Sequence, residues 1–170
     1  GSIVSNDSNG EMTIKSGYYK LTGSDWKWKY LISNSGKANI YGGTIDIWAD
    51  DTSSNPYNSG SYLYNAKGAI ANIENLKITS RPIYSIYNLG TVDVTNSILT
   101  DRVINAETGI MNLTNTTVKN LSNDENHLNM FYSNIYDPSD KKLTKQSTYF
   151  DDTIDYADDL KSGESYTKYY

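Results

Sequence analysis

Cysteine is absent from this chain of 170 residues, and histidine occurs once, at His127. Without a thiol there is no disulfide framework, no thiolate zinc site and no cysteine nucleophile. A single imidazole excludes any site that needs two. Arginine occurs only twice, at Arg81 and Arg102. The 15 Lys plus Arg against 20 Asp plus Glu leave a net charge of -5. That balance argues against nucleic acid, whose phosphates call for a basic stripe. It argues equally against docking on an anionic membrane surface. No apolar run approaches the ~20 residues of a membrane helix.

What the chain has instead is polarity with regular apolar punctuation. It holds 19 Asn, 20 Ser and 16 Thr, a third of its length, with only 37% hydrophobic residues. Composition of this kind often means disorder. Here 16 Tyr, three Trp and evenly spaced Ile, Leu and Val point to a folded chain of one domain. Gly1-Ser2 looks like a cloning remnant, which predicts a piece of a longer protein. The sequons at Asn6, Asn112, Asn115 and Asn120 are expected in so Asn- and Thr-rich a chain.

The sequence repeats itself. Five segments share one grammar: two apolar residues, an Asn, a short gap, a Gly, then an alternating run that ends on an apolar anchor. They run from Ile3 through Asn6 and Gly10 to Ile14, and from Leu31 through Asn34 and Gly36 to Ile40. The third runs from Leu63 through Asn65 and Gly68 to Ile73, with one extra residue after its Gly. The last two run from Ile86 through Asn88 and Gly90 to Val94, and from Val103 through Asn105 and Gly109 to Leu113. Five residues beyond each anchor stands another apolar residue: Tyr19, Ile45, Ile78, Leu99 and Val118. Anchor spacings of 26, 33, 21 and 19 are too uneven for a propeller or an ankyrin array. Inside each unit the apolar residues alternate, as in Val92-x-Val94, and period two means strand.

Each unit therefore holds about three short strands and cannot bury its own apolar face. Stacking units at the ~4.8 Å strand spacing would bury a continuous core. The expected fold is all-β, a right-handed parallel β-helix of about five or six coils over residues 1–121. Its anchors Ile14, Ile40, Ile73, Val94 and Leu113 should stack in one interior column. Asn34, Asn65, Asn88 and Asn105 should turn a corner in the left-handed region and bond up and down as a ladder. Residues 122–170 should form an atypical cap and junction. Within it Leu128 to Tyr136 suggests another strand, and Ile154, Ala157 and Leu160 suggest a short helix.

The phrases Ser33-Asn34-Ser35-Gly36-Lys37-Ala38-Asn39-Ile40-Tyr41-Gly42-Gly43-Thr44-Ile45 and Tyr87-Asn88-Leu89-Gly90-Thr91-Val92-Asp93-Val94-Thr95-Asn96-Ser97-Ile98 resemble the coils of pectate-lyase-like adhesive domains. Those domains occur in large surface proteins of Gram-positive bacteria. The resemblance covers residues 3–118 and implies a secreted, cell-surface or cell-wall location and an adhesive or stalk role. It brings no shared catalytic residues.

Enzymes on such a fold cleave acidic polysaccharides, with a Lys or Arg base beside calcium in the lyases and paired carboxylates in the hydrolases. Arg81 and Arg102 occupy equivalent places three residues beyond Ile78 and Leu99. They read as surface residues, since dense acidic clusters are missing from the coils. Asp50-Asp51 and Asp151-Asp152 lack the spacing of a calcium loop. His127 has no nucleophile elbow to serve. Gly42-Gly43 precedes no helix and so makes no phosphate loop. The expectation is no catalysis, no cofactor and no metal.

The aromatic residues carry more information. Trp26, Trp28 and Trp48 lie in or beside two long insertions, residues 19–30 and 49–62, which both leave at the same corner of consecutive coils. Loops on a rigid scaffold carry function more often than the scaffold does. Trp26, Trp28, Trp48, Asp50, Asp51, Tyr57 and Tyr62 are therefore the candidate ligand-binding residues, with aromatic faces for sugar rings or protein side chains. The expected partner is a host glycan or surface protein, with self-association or a neighbouring module as further possibilities. The competing readings are a polysaccharide lyase or hydrolase fragment and a pure spacer. A spacer would show no aromatic or grooved patch; the alternative role for these aromatics is to cap the amino-terminal end of the solenoid or to fold back over its outer wall.

Overall fold

A computed structural model describes residues 2–21, 30–47, 61–78, 84–99, 103–106, 108–119, 121–123, 128–131, 133–137, 142–145 and 167–168. Among them there is no helix, and the strands follow one another in threes. The first circuit comprises β1 (Ser2–Asn6), β2 (Glu11–Lys15) and β3 (Tyr18–Leu21). The second is β4 (Tyr30–Asn34), β5 (Lys37–Tyr41) and β6 (Thr44–Ile47). The third is β7 (Ser61–Asn65), β8 (Ile70–Glu74) and β9 (Lys77–Ile78). The fourth is β10 (Tyr84–Asn88), β11 (Thr91–Thr95) and β12 (Ile98–Leu99). The fifth is β13 (Val103–Asn105), β14 (Ile110–Thr114) and β15 (Thr117–Lys119). The sixth is β16 (Leu121–Asn123), β17 (Leu128–Phe131) and β18 (Asn134–Asp137), followed by β19 (Lys142–Lys145) and β20 (Thr167–Lys168).

Every third strand pairs. One sheet runs β1-β4-β7-β10-β13-β16 and a second β2-β5-β8-β11-β14-β17. The third runs β3-β6-β9-β12-β15-β18, then β19 and β20. All pairs through the six circuits are parallel, an arrangement compatible with a β-helix. Parallel pairing continues past Leu121 into the sixth circuit, and β18 with β19 makes the first antiparallel pair.

Alternation sends one side of each strand into a shared core. The anchors stand in register as expected: Ile14 beside Ile40, then Ile73, Val94 and Leu113, continuing to Met130. Beside them run Met12, Ala38, Ala71, Val92, Met111 and Leu128. The first sheet supplies Val4, Ile32, Leu63, Ile86, Val103 and Leu121. In the third sheet Ile78 pairs with Leu99 and Leu99 with Val118, all buried. Each fully buried apolar side chain is worth ~1.5–3 kcal/mol, and a circuit contributes only about four. No circuit holds alone; the stack is the folding unit.

Two polar ladders fasten the corners. At the end of the first sheet, Asn6 Nδ2 donates to Asn34 Oδ1 (2.8 Å) and Asn34 Nδ2 to Asn65 Oδ1 (2.8 Å). Asn65 donates in turn to Asn88 (2.9 Å), and Asn88 to Asn105 (2.7 Å). The same amides also donate to backbone carbonyls, as Asn65 does to Thr91 O at 3.0 Å. The ladder is as expected, but its backbone is not: these Asn are extended strand ends. The left-handed residues are Ser16, Asn75, Asn96 and Asn115, with Gly42 in line, at the corner between the second and third strands. The residue after them makes the second ladder. Leu76 N donates to Ser97 Oγ (3.0 Å), Ser97 N to Thr116 Oγ1 (3.3 Å) and Thr116 N to Ser133 Oγ (3.1 Å).

The first corner alternates in length. Circuits one, three and five use four residues, closed by Gly10 N to Asp7 O (2.8 Å), Ala69 N to Ala66 O (3.0 Å) and Gly109 N to Ala106 O (2.7 Å). Circuits two and four use two, Ser35-Gly36 and Leu89-Gly90. Each short corner tucks under the longer one before it. A methyl group at Gly36 would collide with the Asp7 and Gly10 carbonyls, and one at Gly90 with those of Ala69 and Ala66. Register also corrects the third unit: Ala69, not Gly68, aligns with Gly36 and Gly90. Gly68 sits one place earlier, at φ +80°.

Candidate functional site

The two insertions are anchored on neighbouring circuits. The chain leaves the third sheet at Leu21 and at Ile47, which are partners in register. It re-enters the first sheet at Tyr30 and at Ser61, also partners. Whatever residues 22–29 and 48–60 present is therefore presented from exits one strand spacing (~4.8 Å) apart. Trp26, Trp28, Trp48, Asp50, Asp51 and Tyr57 all fall in these two segments and lie outside the described residues. Arg81, Arg102, His127, Asp151, Asp152 and the expected helix around Ile154 also lie outside the described residues.

Tyr62 is a different case. It belongs to β7, and its ring is 1% exposed and part of the core cluster. A ring so enclosed offers no face to a ligand, and Tyr62 leaves the candidate set. The cause is local: Leu31-Ile32, Tyr62-Leu63 and Ser85-Ile86 are consecutive buried pairs, which means the first sheet is covered on both faces at this level.

Nearer the ladder the same sheet carries an aromatic column. The residue before each ladder Asn faces away from the core, and in circuits three and four it is Tyr64 and Tyr87, partners in register. Tyr30 stacks on Tyr64 with centroids 4.7 Å apart and planes 24° apart; Tyr64 stacks on Tyr87 at 5.9 Å and 25°. Such stacked pairs add ~0.5–1.5 kcal/mol beyond their buried area. All three rings are half-buried. Stacking occupies both faces of Tyr64 and one face each of Tyr30 and Tyr87. Burial pushes the Tyr30 phenol above its ordinary pKa, and the neighbouring Tyr64 and Tyr87 push it further. Tyr30 thus stays a neutral hydroxyl through the physiological range.

Tyr64 and Tyr87 were the residues missed. Their signal was in the grammar, since a strand whose Asn points inward must point the preceding residue outward.

The second sheet shows an amide row on its outer face. Asn72 donates to Asn39 Oδ1 (2.8 Å), Asn112 to Asp93 Oδ1 and Asn129 to Asn112 Oδ1 (2.8 Å). At its amino-terminal end Lys37 Nζ meets Glu11 Oε1 at 2.9 Å. The Lys37 hydrogen bond and charge, with the Asn39 amide, hold the Glu11 carboxyl below its ordinary pKa, and Glu11 raises that of Lys37. Both are solvent-exposed, so the pair contributes little to stability. Among the described residues no group of three His, Asp or Glu converges as a metal site would require. Comparison with family models, curated proteins and solved structures finds no match for this chain.

Proposed function

We propose that the three-sheet stack is a right-handed parallel β-helix acting as a non-catalytic binding module at a bacterial cell surface, directed at host glycans or surface proteins. The observation that carries the reading is the placement of the aromatics. Two Trp-bearing insertions hang from partnered positions on adjacent circuits, and both return to the sheet beside the Tyr30, Tyr64 and Tyr87 column. Trp rings suit the apolar faces of sugars or the side chains of a protein, and the tyrosine edges offer hydroxyls. The polar, cysteine-free composition and the resemblance of the coils to adhesive domains support the extracellular setting.

The test pairs two double variants with adhesion to host cells and binding to immobilised glycans. Trp26→Ala with Trp48→Ala, and Tyr64→Ser with Tyr87→Ser, should each lower binding per folded molecule at least tenfold. The Trp variant should keep its melting temperature within a few degrees. A large fall in its melting temperature with adhesion per folded molecule unchanged would make those residues an end cap and the chain a spacer. Unsaturated products absorbing at 235 nm from pectin or alginate would replace this reading with a lyase.

A further inference from the structure

We propose that the break in the amide row of the second sheet, between Asn72 and Asp93, is a subsite for a hydroxyl-rich sugar that carries no acid group. The inference rests on the glycan reading above and places a contact on a different face of the stack. The row follows the outward position of the middle strands: Asn39, Asn72, Asp93, Asn112 and Asn129 are successive partners in register. A carboxylate only accepts, and an amide donates from its nitrogen and accepts at its oxygen. Glu11 takes a hydrogen bond from Asn39 Nδ2 (3.2 Å), and Asn39 Oδ1 takes one from Asn72 Nδ2 (2.8 Å). Asn129 Nδ2 donates to Asn112 Oδ1 (2.8 Å), and Asn112 Nδ2 to Asp93 Oδ1. Each amide thus hands a hydrogen to the circuit before it, until Asp93, which has none to give. Asn72 Oδ1 and the second carboxylate oxygen of Asp93 are left as acceptors on strands ~4.8 Å apart. Among the described residues no donor reaches Asn72 Oδ1, and no hydrogen bond joins Asn72 to Asp93.

The break is a local inconsistency with no internal gain. Asparagine at position 93 would carry the row through unbroken, and the chain holds 19 Asn. An Asp at the one place where the row needs a donor is the kind of broken rule that marks a functional site. The surroundings say which outside donor fits. At the neighbouring outward position Ile70, Thr91 and Ile110 are partners in register, and the two Ile are 43% and 41% exposed with the shorter Thr91 between them. They form a shallow apolar saddle beside the two acceptors, and apolar surface with a few placed polar groups is how small-molecule sites are built. The carbon face of a sugar ring fits the saddle while its hydroxyls donate to Asn72 and Asp93. Asp93 and Glu74, which lies two residues beyond Asn72 on the same face, repel a uronate or a sulfated sugar. A metal ion fits less well, since no group of three acidic or imidazole side chains converges among the described residues.

The test measures binding of the full chain to an array of immobilised neutral glycans, with polygalacturonate and heparin as acidic comparisons. Binding is expected within the neutral set and not to the acidic pair. Asp93→Asn closes the row and removes the free acceptor, so binding should fall at least tenfold while the melting temperature rises by a few degrees. A purely structural Asp93 would not move the two readouts in opposite directions. Thr91→Trp, which fills the saddle and leaves the row alone, should weaken binding by a similar factor. A raised melting temperature with binding unchanged in Asp93→Asn would leave the break to solvent or to another part of the chain, and overturns the proposal. A melting temperature that does not rise would show that Asp93 is no break, and overturns it as well. In both cases loss of glycan binding in the Trp26→Ala, Trp48→Ala variant would keep the broader reading. Adhesion to host proteins with no glycan bound would overturn the subsite alone.

Discussion

Asparagine does two unlike jobs in this chain, and single residues show why they cannot be exchanged. Asn65 is extended and fully buried, donating to Asn88 and to the Ala69 and Thr91 carbonyls while accepting from Asn34. Asn96 is exposed and left-handed at φ 51°. Replacing Asn65 with Ala leaves several buried polar groups unpaired, at ~1–3 kcal/mol each, so the loss should be ~3 kcal/mol or more. Replacing Asn96 with Ala meets the left-handed penalty of ~1–2 kcal/mol and loses one solvent-exposed hydrogen bond, from Asn115 Nδ2 to Asn96 Oδ1 (2.8 Å). Urea melts of the two variants check this, and equal losses would mean that the ladder adds nothing beyond backbone shape. The first job was legible in the sequence because its Asn recurs in every unit. The second was not, because its position is shared by Ser16, Gly42 and three Asn, and backbone conformation rather than side chain is what repeats there. The hydroxyl ladder stayed hidden for a similar reason: Ser97, Thr116 and Ser133 vary in identity within a chain already full of hydroxyls.

At the level of strands and corners, the apolar alternation was enough to place partners in register. Period two fixes which side faces in, and a slip of one residue would turn every anchor outward. Corner packing was less legible, because it depends on the circuit before. Gly36 and Gly68 illustrate this. Gly36 lies beneath the backbone of the preceding corner, whereas Gly68 has open space around the position of a β-carbon and only its φ of +80° to maintain. Gly36→Ala must therefore displace two carbonyls and should cost at least ~2 kcal/mol, within the range of overpacking. Gly68→Ala should cost ~1–2 kcal/mol from backbone strain alone. Thermal melts of both would check the order, and a reversal would show that the corners do not nest. The candidate site divides the same way. The insertions were legible as breaks in spacing, and their common corner follows from the strands that flank them. The tyrosine column needed the register before Tyr64 could be seen beside Tyr87 and under Tyr30.

For the molecule as a whole, stability belongs to interfaces between neighbours rather than to any one circuit. The core columns change little from one circuit to the next, which suggests that circuits are interchangeable. The alternating first corner says otherwise: it gives the stack a parity. The first four circuits come in couples, one long-cornered and one short-cornered, and in that stretch the smallest unit that can be removed or duplicated without conflict is a couple. Excising residues 63–102 joins a short-cornered circuit to the long-cornered fifth and preserves the order. Excising only residues 86–102 sets the corner at 66–69 against the corner at 106–109, where no glycine-lined recess receives it. The larger deletion should retain a cooperative unfolding transition and the smaller should lose it, as calorimetry would read. Growth or shrinkage in that stretch should therefore proceed by even numbers, a rule of counting that a repeat of uniform corners would not impose.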